Sequence, residues 1–177
     1  CGHSGHAISA ALGIACADKI NNVDRTIIAV VGDAAMGAGM SLEALNHAGH
    51  LERNLIVILN DNKMAISNTV GAIAKHINKI RTTPLYADFK KEVHHVIKSL
   101  PIVGKRMEHT LEYITEALKR EITPGQIFVD LGFDYFGPID GHNIQTLTET
   151  LQNIRNVEGP VLLHVITEKG KGFEPAS

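Results

Sequence analysis

No run of apolar residues in this 177-residue chain approaches the eighteen or so that a membrane-spanning helix needs, so no membrane partner is expected. Cysteine is scarce. Cys1 and Cys16 are too few for a disulfide framework, which makes a reducing, cytoplasmic setting the default. Basic residues are not in excess either: 17 Lys and Arg stand against 19 Asp and Glu, for a formal charge of −2. With no cluster of Lys or Arg interleaved with aromatics, nucleic acid is excluded as the expected partner. No HExxH occurs, and the pairs His3/His6 and His47/His50 lack a third ligand that would make a zinc site. No GxGxxG follows a strand-like run, and there is no repeat or low-complexity segment. The chain opens Cys1-Gly2-His3 without Met or a targeting segment, which reads as a processed or truncated piece.

What is present suits one ordinary α/β domain. The chain is 44% hydrophobic and 20% charged, and at this length about 70% of the unfolded surface can be buried. Gly5 to Ile20 is rich in Ala and Ile and reads as a closely packed, buried helix. Thr26 to Val31 is a short β-branched run that ends at Gly32-Asp33, and Leu55 to Leu59 is a second; both read as strands of the parallel type. Ser41 to Leu51 reads as a helix with Ser41 as N-cap. Between Asn68 and Arg106, Gly71, Pro84, Pro101 and Gly104 interrupt short helical stretches, so this stretch is expected to be an irregular excursion, the least regular or most mobile part. Glu108 to Arg120 returns to amphipathic helix. Asp134 to Ile139 is the third strand, Asn143 to Asn156 a helix capped by Asn143, and Val161 to Thr167 the last strand. The alternation predicts a doubly wound, mainly parallel sheet with helices on both faces, in a single α/β domain over residues 1–177.

Polarity changes abruptly after Leu59, at Asn60-Asp61-Asn62. Two readings compete: a plain turn, since Asn and Asp bond their own backbone, or a ligand site at the carboxyl end of a buried parallel strand. Asp33 favours the second. It too follows an apolar run, about thirty residues before Asn62, which is one strand–helix–strand unit. If the two strands are neighbours, Asp33 and Asn62 leave the same edge of the sheet. A carboxylate plus an amide oxygen suits Mg²⁺, which takes its remaining ligands largely from water and phosphate. Ala34 to Met40, made of small residues and running into a helix, offers backbone N–H groups to a diphosphate.

These motifs resemble a known family. GHS near the start, GDAAMGAGMSLEALNHAG, LNDNKMAIS, GPIDGH and KGKGFEPA are together similar to the 1-deoxy-D-xylulose-5-phosphate synthases of the transketolase superfamily. The resemblance runs nearly end to end and is weakest between Asn68 and Thr123. It implies a thiamine-diphosphate-dependent transferase acting on pyruvate and D-glyceraldehyde 3-phosphate, by decarboxylating condensation, at the entry to non-mevalonate isoprenoid and thiamine synthesis. It implies Mg²⁺ held by Asp33, Asn62 and the Met64 carbonyl. Gly2, His3 and Ser4 would lie along the cofactor, Ala34 and Ala35 would contact its diphosphate through the backbone, and Phe173 would stand near it. A homodimer of the full-length protein is implied, in the cytoplasm or, in a plant, the plastid stroma. Departures are visible. Ala34 replaces the family's Gly, GHSG replaces GHSS with His6 just beyond, and Phe173 lacks the hydroxyl of the usual Tyr. If position 34 took a positive φ, Ala would be strained there by about 1 kcal/mol. The resemblance also implies that the glutamate serving the cofactor's aminopyrimidine lies beyond Ser177, and that Glu43, Glu168 and Glu174 do not replace it. Three alternatives stand: another transketolase-like subunit, a phosphate- or nucleotide-binding module without chemistry, or a structural piece whose site is vestigial, against which intact Asp33 and Asn62 argue.

The remaining polar residues have ordinary readings. His94-His95 reads as solvated surface, His142 as a turn histidine, His164 as a satisfied core histidine, Lys169 and Lys171 as exposed strand-end lysines, and Cys16 as core.

Overall fold

The computed structural model describes residues 4–62, 71–82, 125–173 and 175. Its elements in chain order are α1 (Ala7–Asn21), β1 (Ile28–Gly32), α2 (Asp33–Met36), α3 (Gly39–Leu51), β2 (Leu55–Asp61), α4 (Ala72–Thr82), α5 (Gln126–Asp130), β3 (Asp134–Asp140), α6 (Ile144–Ile154) and β4 (Pro160–Ile166). The four strands form one sheet in the order β1-β2-β4-β3, and every neighbouring pair is parallel.

Alternation along the strands divides the core in two. Ala29, Val31, Leu55, Val57, Leu59 and Leu162 face one side, where α1, α3 and α5 bring Leu12, Leu45 and Phe128. Ile56, Val161, Leu163 and Val165 face the other, under Leu147, Leu151 and Ile154 of α6. A chain that crosses from β1 to β2 in one direction and from β3 to β4 in the other must put its connecting helices on opposite faces if both crossings are right-handed. The sheet is thus doubly wound, as the alternation of strands and helices predicts. On the α6 face the cover stops short of β1, where Ile28 is 48% and Val30 62% exposed.

Each expected strand is found, with shifts at its ends. β1 begins two residues after Thr26, and β2 continues through Asn60 and Asp61, so these two residues are strand rather than turn. α6 is capped as expected, the Asn143 Oδ1 accepting from Thr146 N at 3.1 Å. α3 differs. It starts at Gly39 behind Ala38, which offers no capping oxygen, and Ser41 lies inside it, fully buried. α1 is not buried all round: Ile8, Leu12 and Ala15 pack inward while Ile14 and Ile20 are exposed. It lies against the sheet as an outer layer, so only one stripe has a surface to meet. At its end the buried Asp18 accepts from Arg25 Nε at 2.5 Å and Nη2 at 2.6 Å. That hydrogen bond, together with the charge of Asp18, holds the Arg25 guanidinium above its usual pKa. Of the stretch expected to be irregular, α4 is regular helix; the rest, like Glu108 to Arg120 and His94-His95, lies outside the described residues.

Candidate functional site

At the carboxyl edge of the sheet, Asp33 and Asn62 follow neighbouring strands. β1 and β2 are adjacent and parallel with Gly32 opposite Asn60. Asp33 is the next residue after that register pair on one strand, and Asn62 follows by two on the other, on strands about 4.8 Å apart. The expected adjacency is therefore found. Asp33 and Asn62 are both partly buried. Asp33 opens α2, with Gly32 at the N-cap position.

The stretch from Ala34 to Met40 is more regular than a loop. Asp33–Met36 is a helical turn, Gly37 and Ala38 link it to α3, and Ala38 N donates to Ala35 O at 3.1 Å. Ala34 lies within that turn, and among the described residues only Asn22 and Glu52 are non-glycine residues at positive φ. Position 34 does not require glycine, and Ala is unstrained there.

The amino-terminal segment is fastened onto this turn. Gly5 has φ +97°, and a Cβ there would come within 2.9 Å of the Ala38 Cβ. Ser41 Oγ lies 2.8 Å from Ala35 O and 3.2 Å from Gly5 O, so one buried hydroxyl serves both segments. The structure thereby brings Gly5 beside Ala35 and Ala38. Ser4 is exposed, and His6 Nδ1 is buried with no hydrogen-bond partner among the described residues. Gly2, His3 and Met64 lie outside the described residues. Phe173 is not drawn into either core cluster; it is 63% exposed, beyond the turn that follows β4.

Asn60-Asp61-Asn62 resolves into three different residues. Asn60 Oδ1 accepts from Thr167 Oγ1 at 2.6 Å. Asp61 has no exposed surface, and its Oδ2 lies 3.0 Å from His164 Nε2; His164 Nδ1 in turn lies 2.8 Å from Tyr135 Oη. Neither the buried acid nor the part of Ser41 is legible in the chain, because each depends on a partner brought from a distant segment. The only sequence signals for the first were an acid closing a strand and a histidine inside another. His164 is a satisfied core histidine, as its strand position suggested. His142 is a turn histidine whose Nε2 accepts from Glu168 N at 2.8 Å. His47 and His50 are exposed, Cys16 packs partly buried against the core, and exposed Lys171 stands 3.9 Å from Glu168.

Among the described residues no group of three or more His, Cys, Asp or Glu is placed to hold a metal. A cation at Asp33 would therefore take amide, carbonyl and ligand oxygens for the rest of its shell, as Mg²⁺ commonly does. Among the same residues no helix is long and apolar enough to cross a membrane.

Comparison with known proteins adds the family. A family model described as 1-deoxy-D-xylulose-5-phosphate synthase matches residues 1–167. The enzyme of that name from Desulforudis audaxviator is 48% identical over 175 residues, covering 99% of this chain and 28% of the relative. That from Syntrophotalea carbinolica is 49% identical over 175 residues, with the same coverage, so the chain spans little more than a quarter of either relative. Among solved structures, transketolase from Leishmania mexicana superposes with a TM-score of 0.54 at 20% identity, over 95% of this chain and 20% of that one. That likeness concerns the fold.

Proposed function

The chain belongs to the 1-deoxy-D-xylulose-5-phosphate synthase family, and from that membership we propose that it forms the cation and diphosphate part of a thiamine-diphosphate site. The whole enzyme would be a transferase that condenses pyruvate with D-glyceraldehyde 3-phosphate and releases CO₂. The observation that carries this reading is the register of β1 and β2, which sets Asp33 and Asn62 at neighbouring strand ends.

The residues present fit the group. Asp33 offers a carboxylate, Asn62 an amide oxygen, and Met64 a backbone carbonyl, the hard-oxygen set that Mg²⁺ takes. Gly5 leaves no space for a side chain against the turn at Ala38, and the nearby His6 Nδ1 has no hydrogen-bond partner among the described residues. Gly2, His3, Ser4 and the backbone of Ala34 and Ala35 would line the diphosphate, with Phe173 beside the cofactor. When bound, thiamine diphosphate supplies the electron sink that decarboxylation requires. The chain's own share is to hold the cation, orient the diphosphate and keep the small-residue turn open for it. The full-length protein would act as a cytoplasmic homodimer, or in the plastid stroma in a plant, with this chain as one α/β domain.

Calorimetric titration of the intact protein with thiamine diphosphate, with and without Mg²⁺, tests the site. Binding that requires Mg²⁺ and is lost in Asp33→Ala is expected. Equal affinity without Mg²⁺, or in Asp33→Ala, would refute it.

A further inference from the structure

Tyr135, His164 and Asp61 lie on three strands, β3, β4 and β2, and form one chain of hydrogen bonds with contacts of 2.8 and 3.0 Å. The simplest proton placement has the phenol donating to Nδ1 and Nε2–H donating to the carboxylate, which leaves Asp61 its charge and gives it a donor. His164 and Asp61 have no exposed surface, and Tyr135 is braced by its ring stacked on Phe128, centroids 6.1 Å apart and planes 3° apart.

The chain of bonds ends one residue before Asn62. By strand alternation Asn60 and Asp61 point to opposite faces of the sheet. On one face Asn60 receives Thr167 Oγ1 at 2.6 Å; on the other Asp61 meets His164; and between them the Asp61 carbonyl receives Thr167 N at 2.9 Å. The last residues of β2 are thus held from both faces and along the backbone by the end of β4.

We propose that Tyr135, His164 and Asp61 are positioning residues: a buried strut across three strands that sets the exit of β2 and so the place of Asn62. The proposal rests on the reading of Asp33 and Asn62 as a cation site. Outer partners of this kind matter because a metal ligand displaced from its place costs affinity even when it is chemically intact.

Two variants of the intact protein test it. Tyr135→Phe removes only the hydroxyl and keeps the ring on Phe128. The double variant Asp61→Leu/His164→Phe removes the acid and the imidazole together, so neither is left buried without the other and the sheet has reason to stay folded. Amide hydrogen exchange reads the position of the strand end with no cofactor present. Titration with Mg²⁺ and thiamine diphosphate reads the consequence. Expected are faster exchange at residues 60–62 than in the wild type, unchanged exchange at residues 55–58, and affinity lower by about tenfold or more. Exchange at residues 60–62 unchanged in both variants, or affinity at the wild-type level despite faster exchange, would overturn the proposal. Failure of the cation-site reading looks different: the wild type would not bind, or Asp33→Ala would bind as well as the wild type, and the exchange pattern would still decide for or against the strut.

Discussion

A carboxylate with no exposed surface, as at Asp61, is tolerated because the His164 imidazole stands 3.0 Å from it. Breaking such a pair from one side takes this contact from a group that stays buried, which costs up to about 3–5 kcal/mol where the group left behind is charged. His164→Ala is expected to lose stability toward that scale in urea unfolding, and Asp61→Ala, which leaves a neutral imidazole still bonded to Tyr135, about 1–3 kcal/mol. Asp61→Leu/His164→Phe should lose less than the two together, since neither member of the pair is left without the other. Additive losses would contradict the pairing. Ser41 is a smaller case of the same logic. Its hydroxyl serves carbonyls of two segments, so Ser41→Ala should cost about 1–3 kcal/mol by leaving a buried acceptor unmet.

Elements that rest on local pattern were legible in the chain, and those that rest on distant packing were not. The four expected strands were found, three of them from short apolar runs, and Asn143 capped its helix, because such a run and an Asn before a helix act within a few residues of themselves. The start of α3 was misread because Ser41 has the chemistry of a cap, while its fully buried position inside the helix gives it a partner 36 residues away. Of the candidate site, Asp33 and Asn62 were legible as strand ends; the partners of Asp61 and the His6 nitrogen, which has none among the described residues, were not, since neither leaves a periodic trace. Packing of α3 shows the same limit. A Cβ at Gly49 would lie 1.7 Å from the Leu131 carbonyl oxygen, with the Leu131 carbonyl carbon at 2.9 Å, so the helix and the segment after α5 touch backbone to backbone. Gly49→Ala must force them apart, and a loss at or above the upper end of about 1–3 kcal/mol is expected. An unfolding midpoint equal to the wild type would show that the contact yields.

For the molecule as a whole, the share of its relatives that it spans sets what it can do alone. The chain covers 28% of the Desulforudis enzyme's length. In the proposed reading it supplies the cation and diphosphate groups, while the pyrimidine's glutamate and part of the substrate pocket belong to the rest of the protein. Loss of an acid–base group typically removes 10²–10⁴ in rate, about that much by itself, and an open site adds to the loss. The 177-residue chain in isolation is expected to bind Mg²⁺ and thiamine diphosphate weakly and to consume no pyruvate. Pyruvate consumption that rises with the cofactor and vanishes in Asp33→Ala would contradict this.

The pairing of β2 with β4 also has a consequence in time. The central seam of the sheet joins segments a hundred residues apart in the chain, as the 103-residue separation of Asp61 and His164 shows. Closing so long a loop forfeits chain entropy before any contact rewards it. During synthesis, Asp33 and Asn62 leave the ribosome long before Thr167 exists to hold the strand between them. Until then β2 has an unpaired edge, open to any neighbouring chain with a strand to offer. Refolding followed by stopped-flow circular dichroism should accordingly take about milliseconds to seconds, and not microseconds. Truncation before Pro160 should yield aggregates in place of a smaller folded sheet. The carboxyl edge of the sheet, begun by the first strand and the second, is finished by the last.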